Sequence, residues 1–135
     1  MSPLLEMVLR FLLATGLGAA IGYQRELAGK TAGMRTHVLV SSGAALFTLA
    51  SIYGFGVGEV DTSRVAAGVV VGVGFIGGGV IFRGARGEEV AGLTTAATIW
   101  ATAAIGLAAG AGLYALSAIA TAIILGGLLL PKIRG

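Results

Sequence analysis

Of the 135 residues, 56% are hydrophobic and 11% charged, against roughly 45 to 50% and 25% in soluble domains. A chain this short with so few polar residues cannot cover a water-facing surface, so lipid is its expected solvent. The lack of cysteine excludes disulfide frameworks, thiol nucleophiles and cysteine-based zinc sites, and a net charge of only +3 gives no reason to expect a nucleic-acid partner.

Five apolar runs follow one another. The first, residues 4–23, carries Glu6 and Arg10 one helical turn apart, where they can pair on one face or reach the interface. It lacks the cationic start of a secretion signal, so it is expected to remain as a first span. Residues 38–58, 65–82, 93–113 and 114–130 contain no charge, and each is long enough to cross about 30 Å of hydrocarbon as a helix. The connections at 28–33, 58–63, 84–92 and Gly110-Ala111-Gly112 carry turn chemistry, so successive helices reverse direction. The expected fold is therefore all-α: one domain over residues 1–135, a polytopic membrane bundle of about five transmembrane helices.

That alternation collects Arg25, Lys30, Arg35, Arg83, Arg86, Lys132 and Arg134 on one side. Arg64 falls on the other, and Arg10 inside the first span. Because Lys and Arg are enriched in cytoplasmic loops, the basic side is expected in the cytoplasm, with the N-terminus outside and the C-terminus inside. Tyr23, Tyr53, Phe55, Phe82 and Tyr114 fall near span ends, as interfacial anchors do. Trp100 sits mid-span, away from any interface.

Twenty-four glycines would weaken a soluble bundle, but in lipid small residues let helix backbones approach. Four small-xxx-small pairs stand inside apolar runs: Gly18 and Gly22, Gly68 and Gly72, Gly74 and Gly78, Gly106 and Gly110. Spans one, three and four are expected to pack closely through them, within one chain or between two. Residues 72–77 match the dinucleotide fingerprint by letter, yet they lie in an uncharged span with no βαβ context. Gly29-Lys30-Thr31 resembles the end of a P-loop, but Gln24 stands where that motif needs glycine. Neither supports a nucleotide site.

Three ordered segments carry a resemblance: residues 23–37 (YQRELAGKTAGMRTH), 72–83, and 92–102 (GLTTAATIWAT). They resemble the MgtC/SapB membrane domain, and the likeness runs from about Leu12 to Leu130. The resemblance implies a bacterial or archaeal inner-membrane protein linked to growth in low magnesium and, in pathogens, to survival inside host cells. Members have been regarded as magnesium transporters and as regulators that bind other membrane proteins, ATP synthase among them. Many carry a soluble domain after the last span. The sequence here runs to Gly135, so functions of such a domain are not expected of it.

Two spans begin on the basic side, and helix N-termini attract anions. Arg35, Thr36 and His37 surround one, Thr94 and Thr95 the other, with Arg25, Glu26, Lys30, Arg83 and Arg86 nearby in sequence. This set forms either a site for an anionic ligand (a lipid head group, a phosphate compound or an acidic partner segment) or helix caps at Thr36 and Thr94 flanked by orienting cations. Glu26 is expected in an ion pair with Arg25 or Arg35. Thr94, Thr98 and Thr102, with Thr95, give the fourth span a hydroxyl face beside Trp100, for a polar cavity or for interhelical hydrogen bonds. Residues 61–64 (DTSR) read as the outer cap of the third span with a local charge pair.

His37, the sole histidine, has only Glu26 and hydroxyls for company, so no metal site or cofactor is expected. Without a Ser-His-Asp set or paired intramembrane carboxylates, an enzyme is not expected either. Two functions remain. One is a regulatory module that binds another membrane protein, as a homo-oligomer with a dimer favoured. The other is a small oligomeric transporter or channel for magnesium or protons, against which stands the lack of acidic residues in spans two to five.

Overall fold

The computed structural model describes residues 2–55, 61–83 and 90–130. Its helices are α1 (Pro3–Leu27), α2 (Met34–Tyr53), α3 (Ser63–Gly79), α4 (Leu93–Gly110) and α5 (Tyr114–Leu128). Between α3 and α4, β1 (Phe82–Arg83) pairs antiparallel with β2 (Val90–Ala91). Apart from that short ladder the described chain is helical. Arg86, Lys132 and Arg134, and the side chain of Arg83, lie outside the described residues.

Helices α1, α2 and α4, of 25, 20 and 18 residues, are long and apolar enough to cross a membrane. The 17 residues of α3 and 15 of α5 rise about 26 and 23 Å, a little short of the ~30 Å hydrocarbon core. The second helix starts at Met34, four residues before its uncharged run, so Arg35, Thr36 and His37 lie in its first turn.

Local chemistry sets several ends. Pro3 occupies the first turn of α1, where a missing N–H costs nothing, and the Ser2 hydroxyl accepts from Leu5 N–H at 3.2 Å. Gly92 begins α4 with φ of 85°, and a Cβ there would collide with the Val80 carbonyl. Only glycine fits both the left-handed backbone and the close passage of the chain leaving α3.

Helices α1, α2 and α4 pack mutually; α3 lies against α4 and α2, and α5 against α4 and α1. The interior is small and polar. Helix α2 buries His37, Ser41, Ala44, Ala45 and Thr48 while Leu39, Leu46 and Phe47 face outward, 69%, 59% and 61% exposed. With acyl chains as solvent, large apolar side chains lose nothing by facing out, and small residues inside let the backbones close. One core cluster joins Ala14, Ala45 and Ala109; a second joins Ala44, Val69 and Ala103.

The glycines divide in two. A Cβ on Gly18 would collide with the Ser41 side chain, and one on Gly106 with the Ser41 carbonyl oxygen. At Gly22 it would meet Met34 Cα at 2.5 Å and at Gly110 the Ala45 carbonyl at 2.9 Å. In α3, by contrast, Gly68, Gly72, Gly74 and Gly78 have nothing within 4 Å of a Cβ. The close approach expected of the third span is thus not made within this chain by those residues; Gly77 is the glycine of α3 where an added Cβ would meet α4, 3.5 Å from the Ala96 carbonyl oxygen.

Candidate functional site

The antiparallel course of α1 against α2 and α4 brings the end of α1 beside the starts of the other two. There Arg25, 3% exposed, turns inward. Its Nη2 donates to the Thr31 carbonyl at 3.1 Å and, in a short bond, to Thr95 Oγ1. The Thr31 and Thr95 hydroxyls stand 3.3 Å apart. One turn deeper, His37 is fully buried. Its Nδ1 lies 2.8 Å from the Gly33 carbonyl, which can only accept, so Nδ1 holds a proton. Nε2 lies 3.1 Å from Thr98 Oγ1. That hydroxyl, 2.8 Å from the Thr95 carbonyl, offers one proton to two acceptors when the ring is neutral.

The seam ends at Thr102, whose buried hydroxyl has no hydrogen-bond partner among the described residues; neither has Arg25 Nε. A guanidinium, an imidazole and four threonine hydroxyls therefore run inward from the starts of α2 and α4. Among the described residues no carboxylate faces them. A buried cation beside two helix N-termini, only that of α2 met by a carboxylate (Glu26) among the described residues, gives the interior of this end a positive potential.

The expected set separates into layers. Arg25, His37, Thr95, Thr98 and Thr102 come together inside; Lys30, Arg35 and Thr94 stay on the surface, and Thr36 is half-buried. Thr36 and Thr94 are not caps, because α2 and α4 begin at Gly33 and Gly92 with no side-chain cap, placing both threonines inside the first turn. Glu26 makes no ion pair with Arg25 or Arg35 among the described residues. Its Oε1 instead accepts from Met34 N–H at 3.2 Å, a carboxylate on the positive end of α2. Trp100 is 56% exposed, two residues and some 200° round the helix from Thr98 and Thr102, so it is not beside the hydroxyl face.

At the opposite end the cation Arg10 is paired with a carboxylate. Arg10 Nε donates to Glu6 Oε1 at 3.0 Å and Nη1 to the Gly110 carbonyl at 3.1 Å, while Tyr114 Oη donates to the same Glu6 oxygen at 2.6 Å. The guanidinium also stands 5.6 Å from the centroid of the Tyr53 ring. Gly112, at φ of 91°, lets the α4–α5 turn pass the Arg10 side chain. Sequence reasoning saw the Glu6 and Arg10 spacing but took Tyr53 and Tyr114 as anchors alone. Thr31 and Ser41 carry no such signal: Ser41 has no charged residue at helical spacing, and Thr31 lies in the connection before α2, where helical spacing does not govern its contacts.

These features define a class: a small polytopic membrane protein whose interior is built of glycines and hydroxyls round a buried cation, Arg25. Residues 11–133 match the MgtC family, and the chain belongs to it. YhiD of Escherichia coli K12, whose name proposes a magnesium transporter, is 51% identical over 118 residues, covering 82% of this chain and 54% of that protein. MgtC of Brucella abortus is 45% identical over 109 residues, 81% of this chain and 44% of the relative. SrpB of Synechococcus elongatus is 45% identical over 122 residues, 83% and 67%. The chain spans about half the length of the YhiD and MgtC relatives. No solved structure matches.

Proposed function

We propose that this chain is an inner-membrane module in magnesium homeostasis that acts by binding another membrane protein, not by catalysis and not by carrying the ion. The family and the names of its relatives supply the link to magnesium. The observation that carries the binding role is the sign of the buried seam: Arg25 is its charged group, and hydroxyls and His37 are its other members. A magnesium path needs anionic or neutral oxygens replacing a tightly held hydration shell. A fixed cation at the mouth repels the ion instead. Among the described residues no three of Asp, Glu or His gather.

In this reading the basic end faces the cytoplasm, where Lys30, Arg35 and Thr94 present a cationic rim to an acidic segment of the partner. Adaptation to low magnesium, and to life inside a host where the organism is a pathogen, follows from that regulation. A homodimer is the expected resting state.

The alternative, a small oligomeric transporter of magnesium or protons, draws on the name of YhiD and on the His37–Thr98 hydrogen bond. Two experiments separate them. Purified protein in proteoliposomes is expected to pass neither ion, and robust saturable flux overturns the regulatory reading. Capture from membranes grown in limiting magnesium is expected to yield a defined partner that the Arg25→Ala, Arg35→Ala double variant no longer holds.

A further inference from the structure

Between α2 and α3 the bundle leaves an apolar cavity of about 430 Å³, walled by Leu39, Gly43 and Phe47 on one helix and Gly68, Gly72 and Ile76 on the other. Its glycines are not there for close packing, since a Cβ at Gly43, Gly68 or Gly72 would meet nothing within 4 Å. They make room. Leu39 and Phe47, mostly exposed, leave the cavity open sideways to the hydrocarbon in which α2 sits. An acyl chain is slender enough to lie along such a slot, whereas a helix with its side chains is about 10 Å across.

The charge at its mouth selects the chain. Leu39, Gly43 and Phe47 follow one another at four-residue intervals along one face of α2, and the next position back in that row is Arg35, exposed in the helix's first turn. A side chain there reaches the head-group layer while its row continues down into the hydrocarbon. A comparable cavity of about 440 Å³ between α1 and α2 has Tyr53 at its wall, but the nearby cation, Arg10, is already held by Glu6. Of these two cavities, the one between α2 and α3 is in register with a cation that makes no ion pair among the described residues.

We propose that this slot is a binding site for one anionic phospholipid, its acyl chain lying between α2 and α3 and its phosphate on Arg35. The site depends on α2 crossing the membrane and not on which way it points, nor on whether the protein regulates or transports.

The test places a reporter in the slot: Phe47→Trp with Trp100→Phe, in phosphatidylcholine vesicles doped with brominated phosphatidylglycerol or brominated phosphatidylcholine. The expected result is several-fold tighter apparent binding of the phosphatidylglycerol in tryptophan quenching. Arg35→Gln, on the surface and harmless to folding, is expected to equalise the two lipids. Gly72→Leu, filling the slot, is expected to weaken quenching by both. Equal quenching in the parent protein overturns the proposal, as does a preference that survives Arg35→Gln. Protection from both lipids, the signature of a second copy or a partner helix seated in the slot, also overturns it.

Discussion

The same small-xxx-small spacing meets two fates in this molecule. In the α1–α2–α4 core, Gly18, Gly22, Gly106 and Gly110 press against the backbone or side chain of α2. In α3, Gly68, Gly72, Gly74 and Gly78 face open space. The difference lies in what stands opposite. Helix α2 offers the core Ser41, Ala44 and Ala45, side chains short enough to admit a neighbouring backbone, whereas α3 turns Val71 and Phe75, 75% and 87% exposed, toward lipid. A glycine pair permits close approach, and the partner face decides whether approach occurs.

The largest expected effect breaks the core. Gly106→Leu drives a branched side chain into the Ser41 carbonyl, where neither backbone can yield, so the cost exceeds the roughly 1–3 kcal/mol of ordinary overpacking. Loss of monodisperse protein on size exclusion in mild detergent is the measure. Full recovery of folded Gly106→Leu would mean the core is looser than drawn.

Arg25→Met separates stability from function within that core. Apolar replacement of a buried charge is commonly neutral or favourable, so the melting transition is expected to hold or rise by up to about 1 kcal/mol in stability. Partner capture is expected to vanish. A sharp fall in stability would show Arg25 to be a structural brace.

Arg10→Ala is expected to lower the melting temperature by several degrees, because Glu6 and the Gly110 carbonyl lose their shared donor, Glu6 keeps only the Tyr114 hydroxyl, and the α1 start is released from the α4–α5 turn. Partner capture is expected to persist. Equal loss of capture in Arg10→Ala and Arg25→Met would erase the distinction between the two ends.

Smaller effects belong to α3. Gly72→Leu is expected to leave folding unchanged within about 0.5 kcal/mol, since an added Cβ meets nothing within 4 Å and the rest of the side chain enters the slot. At the start of α3, the Ser63 hydroxyl and then the Ser63 N–H, with Arg64 in support, hold the Asp61 carboxyl below the usual aspartate range. A depressed folded-state pKa gives stability that is present at neutral pH and lost as pH falls through and below that range. Amide exchange across residues 63–66 is therefore expected to accelerate only in strong acid, and Asp61→Asn to flatten that dependence.

The membrane character and the count of helices were legible because they rest on uninterrupted apolar length, a property of the chain alone. So was the pairing of Glu6 with Arg10, which helical spacing imposes. The starts of α2 and α4 were misjudged. Thr36 and Thr94 look like caps to local rules, but glycines at 33 and 92 end the preceding turns closer to the helices. Glu26 looked like a partner for arginine; the return of the loop put the first N–H of α2 nearer. The strand pair at 82–83 and 90–91 left no periodic trace in so short a segment.

By itself the sequence determined that this chain dissolves in lipid as a set of reversing helices, because transfer of apolar length into hydrocarbon depends on composition and not on neighbours. Tertiary structure alone decided that Arg25 points inward to Thr95 while Arg35 stays outside, and that Gly18, Gly22, Gly106 and Gly110 close a core while Gly43, Gly68 and Gly72 leave a slot. Those outcomes depend on which helix faces which, and in lipid that choice is made by the fit of small surfaces, which no single helix contains.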